Sequence, residues 1–276
     1  MEPMLSLPRL KSTALQTLVI HLGAANSRNL FSTCGRAIHA QVMEWFHLSQ
    51  PELAQAIHNS QVSPISLSGL VSKHLGRPIL EGEEFYFRIG LLQGDLLAPL
   101  LQGLELWGST VVLAEFPFVI KNINLLAGTD PLIRSSDYAQ LAQVPSHSKT
   151  LMLRFLTPTN FKFNQGQHTQ PIPLPDAVFG SLQRRWDSFA PPGLRFSKIQ
   201  WNGVIYDFEI KSQHLRLGNI DELGAVGWVK YHFPDPEQAR IANILAHFAF
   251  FSGVGRKTAM GMGQTFLEGT TNLYQV

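Results

Sequence analysis

The sequence predicts an α+β chain built as a twofold repeat of a split βαβ unit. Three observations predict it. The order strand, helix, strand, strand, helix, strand can be traced through the first half, the same order returns in the second, and a Pro- and Ser-containing stretch from Val144 to Ser148 separates them. One unit is expected in residues 1–145 and the other in residues 146–276.

The first half opens with an apolar run from Leu15 to Leu22, short enough for a buried strand, followed by a polar loop through Asn26 to Asn29. Ile38, Val42, Trp45 and Phe46 then recur at helical spacing on one face. Ser49 with Glu52 three residues later has the form of a capping box. It predicts a second short helix that turns Leu53, Ala54 and Ile57 inward and ends near His58. Glu84 to Ile89 and Thr110 to Leu113 read as strands, with a helix at Leu96 to Leu101 between them.

In the second half, alternating Leu151, Leu153 and Phe155 mark a strand, and a helix from Pro175 to Phe189 presents Val178, Leu182 and Trp186. Asn202-Gly203, flanked by Trp201 and Val204, is the dipeptide preferred in a type I′ hairpin turn. A strand from Ala225 to Phe233 leads to a helix with Asp235 as N-cap, Pro236 in its first position and Gln238 completing a capping box. That helix presents Ile241, Ile244, Leu245 and Phe248.

Composition narrows the function classes. With 45% hydrophobic and 15% charged residues in 276, the chain can bury a substantial core. Its only cysteine is Cys34, which excludes an internal disulfide and a cysteine-rich zinc site and fits a reducing, cytoplasmic compartment. No segment has the form of an export signal or the roughly 18 apolar residues of a membrane span. The net charge is only +2, but Ser148 divides the chain into a first part with 9 Lys+Arg against 11 Asp+Glu and a second with 13 against 9. The basic excess therefore lies in the second half, which is a weak pointer to a polyanion.

The densest motif follows the last helix: FAFFSGVGRKTAMGMGQTF. Gly253 and Gly255 form one pair and Gly261 and Gly263 another, with Arg256 and Lys257 between them. Glycines without Cβ atoms permit positive φ and let backbone N–H groups approach a phosphate, while the two cations supply charge beside it. A dinucleotide or Walker loop needs a strand before the glycines and a helix after them, and here the order is reversed.

At this loop the sequence resembles the CRISPR-associated endoribonucleases that process precursor CRISPR RNA, members of the repeat-associated mysterious protein superfamily. The resemblance extends to LRFLTPTNF from Leu153 to Phe161, VKYHFP from Val229 to Pro234, and PELAQAIHNSQVSPISLSGL from Pro51 to Leu70. It implies two ferredoxin-like (βαββαβ) domains in tandem, the first carrying the catalytic histidine and the second the glycine-rich RNA-binding loop.

It further implies a metal-independent endoribonuclease that cleaves repeat RNA in the precursor transcript to give mature guide RNAs. The ribose 2′-OH attacks the adjacent phosphate, leaving a 2′,3′-cyclic phosphate or 3′-phosphate and a 5′-hydroxyl. No cofactor or metal is expected, because the nucleophile belongs to the substrate. A neutral imidazole suits the base's role.

Among ten histidines, position separates the candidates. His58 falls where the resemblance puts the catalytic histidine in several members, and His39, on the preceding helix, is the second candidate. His47 reads as a solvated residue at that helix's end. Two positions depart from the family pattern: Met43 stands where some members have tyrosine and Pro64 where they have lysine. The cationic role then falls to Arg256, Lys257 or Lys73.

RNA binding is expected from the glycine loop together with Arg184, Arg185, Lys162 and Lys198. Arg184-Arg185 fits a solvated helix face equally well. Trp201 and Phe163 suit either base stacking or a core. A non-cleaving repeat-RNA-binding subunit of a CRISPR ribonucleoprotein complex is the alternative reading, and other effector subunits are candidate partners. Base rates favour a twofold homodimer if the chain self-associates.

Overall fold

The computed structural model describes residues 12–27, 34–72, 78–145, 148–163, 168–218 and 220–269. The first half runs β1 (Ala14–Ala24), α1 (Gly35–Ser49), α2 (Pro51–Asn59), β2 (Ile65–Leu67), β3 (Glu84–Leu91), α3 (Leu97–Trp107), β4 (Thr110–Leu113), β5 (Phe116–Asn124), β6 (Ser135–Asp137) and α4 (Tyr138–Ala142). The second runs β7 (Thr150–Thr159), β8 (Phe161–Phe163), β9 (His168–Gln170), α5 (Pro175–Phe189), β10 (Val204–Leu217), β11 (Ile220–His232), α6 (Pro236–Ser252) and β12 (Thr265–Leu267).

The first sheet has the order β2-β3-β1-β5-β4, with β6 also on β1, and the second β10-β11-β7-β12. In each, the first strand of the unit lies between the third and the last, all antiparallel, which is the ferredoxin-like arrangement. The helical stripes bury as the periodicity requires: Ile38, Val42, Trp45 and Phe46 enter the first core, and Val178, Leu182, Trp186 and Phe248 the second.

The segment before the expected boundary belongs to both halves. β6 pairs with β1, yet Tyr138 is fully buried in the second core, its ring 4.9 Å from Trp186 and 5.8 Å from Phe248. Ser146 and His147 of the junction, part of the Asn26–Asn29 loop, and Lys73 lie outside the described residues.

Three local expectations are corrected. Ser49 ends α1 and donates to Phe46 O at 3.1 Å, so α2 starts after Gln50 without a capping box. At α6 the Asp235 cap forms, accepting from the Glu237 and Gln238 N–H groups. Gln238 Oε1 instead accepts from Asn202 N–H at 3.0 Å, which opens the reciprocal half of that box.

Asn202-Gly203 makes no hairpin either. A Cβ at Gly203 would lie 2.4 Å from the Phe233 ring, so this glycine serves a close approach on the way into β10. A tight two-residue turn lies instead at Ala114-Glu115, both at positive φ (51° and 65°), because the register of Leu113 opposite Phe116, both buried, requires it. β10 and β11 turn between Leu217 and Ile220, with Gly218 at φ 65°.

The halves meet where β2 and β3 run against α6 and the glycine-rich loop. Arg88, buried on β3, donates to Phe250 O at 2.6 Å and Gln264 Oε1 at 2.8 Å, and Gln264 Nε2 returns to Leu67 O at 3.0 Å. A Cβ at Gly90 would meet Phe251 O at 2.3 Å, and Ser68 forms a parallel bridge with Gly261. This contact fixes the loop against the first half.

Candidate nucleic-acid interface

The junction leaves a cleft of about 950 Å³ walled by the end of α2 and its following loop, one face of α5, β8, and the loop from Gly255 to Met260. His39 of α1 and His58 of α2 both line it, together with Lys162, Arg184, Arg185, Arg256 and Lys257.

The two imidazoles sit in different surroundings. His58, one residue after buried Ile57 in the last turn of α2, is exposed. His39 is half-buried, and its Nδ1 is buried with no hydrogen-bond partner among the described residues. Burial lowers its pKa below the ordinary 6.5, against an opposing contribution from the Ala259 backbone, and the nearby His58 adds to the lowering. His39 thus favours the neutral form. His47 is exposed at the end of α1 and does not line the cleft.

All four loop glycines adopt positive φ, 66° at Gly253, 80° at Gly255, 92° at Gly261 and 71° at Gly263. The amides of this loop, however, are largely committed within the fold. Gly255 N–H donates to Ser181 Oγ at 3.0 Å, Arg256 N–H to Asn160 O at 3.0 Å, and Val254 N–H to Gly263 O at 2.8 Å. Gly255 also admits Asn160 O to 2.4 Å of where a Cβ would be, and Gly263 admits Val254 O to 2.0 Å. The glycines make a tight loop packed between the halves, rather than an open nest of free N–H groups.

The loop cations are paired. Lys257 Nζ lies 2.6 Å from Glu222 Oε1, and Arg256 lies 3.4 Å from Glu222 Oε2, which also accepts from Asn160 Nδ2 at 2.9 Å. Neither Glu222 nor Asn160 is assigned a role by the sequence alone. Asn160 stands inside the LTPTNF segment that carries the resemblance, so a signal existed for it. Glu222, in an ordinary strand, offered none.

Arg184 is exposed on the cleft wall, as is Lys162. Arg185 does not take the solvated-face alternative: its guanidinium is buried and bonds Thr258 Oγ1, Ser63 O and Ile65 O. Burial pulls its pKa down to about 10. Lys198 is exposed but does not line the cleft.

Trp201 is taken by the core, with its ring 5.3 Å from Phe179 and 5.7 Å from Phe233, whereas Phe163 is 51% exposed beside Lys162. Met43 packs on the first core and Pro64 is buried, so neither reaches the cleft. Among the described residues no three His, Cys, Asp or Glu side chains converge on a metal position, and no helix is long and apolar enough to cross a membrane.

Residues 153–265 match the family described as CRISPR-associated endoribonuclease Cas6. Among solved structures, a Cas6 (TTHA0078) product complex is 30% identical, with TM-score 0.71 over 92% of this chain and 99% of that one. A product complex of Cas6 (TTHB231) from Thermus thermophilus has TM-score 0.79 at 23% identity, over 92% and 99%. A structure described as an RAMP protein binding different RNA substrates is 16% identical, with TM-score 0.63 over 91% and 99%. No curated protein sequence matches the chain significantly.

Proposed function

The chain belongs to the CRISPR-associated Cas6 endoribonuclease family, and from that premise we propose that it cleaves CRISPR repeat RNA without a metal, by attack of a ribose 2′-OH on the adjacent phosphate. The observation that carries the reading is the convergence of His39, His58 and a set of cations on one cleft between the halves.

His39, kept neutral by burial, takes the 2′-OH proton; general-base help of this kind is typically worth roughly 100- to 10,000-fold. The O2′–P bond forms and the P–O5′ bond breaks. His58, exposed across the same cleft, returns a proton to the departing O5′. The products are a 2′,3′-cyclic phosphate and a 5′-hydroxyl. Arg184, Lys162 and the loop cations Arg256 and Lys257 provide positive charge for the phosphate as its negative charge builds.

The labour divides along the chain. The first domain, residues 1–145, contributes both imidazoles, and the second, residues 146–276, the glycine-rich loop and most of the cations.

The test is incubation with a labelled single repeat RNA in EDTA, beside His39→Ala and His58→Ala variants and a repeat with a 2′-deoxy at the cleavage position. Cleavage at one site by the wild type, lost with the deoxy substrate and lowered at least a hundredfold by His39→Ala, supports the mechanism. Tight binding without cleavage replaces it with the non-cleaving repeat-RNA-binding subunit.

A further inference from the structure

Arg185 is a costly residue for its place. It is 7% exposed, its Nε has no hydrogen-bond partner, and no carboxylate lies within ion-pair distance of it among the described residues. An apolar side chain would fill the same space without burying an uncompensated charge. What the guanidinium adds is a rigid planar fork of donors.

One arm of the fork donates to Thr258 Oγ1 and the other to Ser63 O at 3.1 Å and Ile65 O at 3.5 Å. Ser63 closes the loop that follows α2, five residues after His58. Thr258 immediately precedes Ala259, whose backbone lies against His39. The side chain therefore ties together the α2–β2 loop, the glycine-rich loop and α5, three walls of the cleft that come from both halves of the chain.

We propose that Arg185 is a positioning residue, holding the His58 wall at a fixed separation from the loop that backs His39, and that it makes no contact with substrate itself. The proposal rests on the two-histidine reading above. Its fork sets the distance at which the two imidazoles address one phosphate, and displacement of a reacting group by about 1 Å can cost on the order of a hundredfold in rate.

The experiment is single-turnover cleavage of the repeat RNA, with the RNA Kd and thermal melting measured for each variant. Arg185→Ala is expected to cleave roughly 30- to 100-fold more slowly with Kd within about threefold of wild type. Arg185→Lys, which keeps the charge and one or two of the bonds, should recover part of the rate. Thr258→Val removes the loop acceptor at nearly constant volume. It should slow cleavage less than Arg185→Ala and add nothing in the double variant, because both changes sever one linkage.

If Arg185→Ala does not fold, Arg185→Lys and Thr258→Val make the same comparison of rate against affinity. Wild-type rates in the variants overturn the proposal. So does an affinity loss matching the rate loss in folded Arg185→Lys, which would make the guanidinium a phosphate contact. Failure of the wild type to cleave would instead remove the two-histidine premise, and the proposal falls with it.

Discussion

Lys257 Nζ donates to Glu222 Oε1 at 2.6 Å, so the lysine of the glycine-rich loop is held by a carboxylate from β11 rather than standing free in the cleft. Burial pushes the Glu222 carboxyl up. The hydrogen bonds from Lys257 and Asn160 and the charges of Lys257 and Arg256 outweigh it and hold the pKa below its ordinary 4.5.

Glu222→Gln keeps the shape and removes the negative charge that competes with phosphate for these two cations. Single-stranded RNA binding should tighten at low salt. The slope of log K against log salt should steepen by about 0.7 for each further phosphate that the freed cations neutralise. Fluorescence anisotropy across a salt series measures it, and an unchanged slope would mean that Glu222 does not restrain the loop cations.

His58 and His39 are electrically coupled, since the charge of His58 is one cause of the lowered His39 pKa. In His58→Ala the His39 pKa should therefore rise toward 6.5, still held down by burial. An NMR titration of the imidazole signals reads this directly. The acid limb of the single-turnover pH–rate profile should lie below pH 6.5 in the wild type and move upward in a His58 variant with measurable residual activity.

Gly255 is constrained twice, by a φ of 80° and by Asn160 O only 2.4 Å from the position of an added Cβ. Gly255→Ala must strain the backbone and displace that carbonyl, at a cost of about 1–3 kcal/mol. Urea unfolding measures the loss. Repeat-RNA cleavage should fall in the same variant, because Arg256 N–H bonds that carbonyl and the loop shifts with it.

His247 on α6 is held neutral in the fold. Burial, reinforced by the Arg134 charge, lowers its pKa to about 4 from 6.5. A folded-state pKa below the unfolded value means that the unfolded chain binds the proton more tightly. The stability contributed is complete above pH 6.5 and is lost as pH falls toward 4. His39 acts in the same direction. Melting temperatures should drop steeply over this interval, and His247→Gln should flatten the drop if the glutamine variant folds.

The elements easiest to read in the sequence were those whose burial pattern is periodic. The Pro175–Phe189 helix ends where the pattern ends, and Asp235 caps α6 through contacts two and three residues away. Local turn chemistry was less informative. Asn202-Gly203 is a strong hairpin dipeptide in isolation, but here Phe233 and Gln238, thirty or more residues downstream, claim its space and its N–H. Ala114-Glu115 has no turn signature and makes the turn because its flanking strands must pair.

For the site, the sequence by itself named the glycine-rich loop, both histidines and four of the cleft cations, Lys162, Arg184, Arg256 and Lys257, with the resemblance that joined them, but not Asn160 or Glu222. It could not tell Arg184 from Arg185, adjacent and chemically identical, because the difference lies in which side of α5 meets the first half. Arg184 stands exposed on the cleft wall, whereas Arg185 is buried behind it against Ser63, Ile65 and Thr258. Nor could it pair Lys257 with Glu222, 35 positions away on another strand. Periodicity and capping depend on neighbours a few residues apart, so they are written locally. Burial of a charge and the choice of its partner depend on where distant segments pack, and only the tertiary structure decides those.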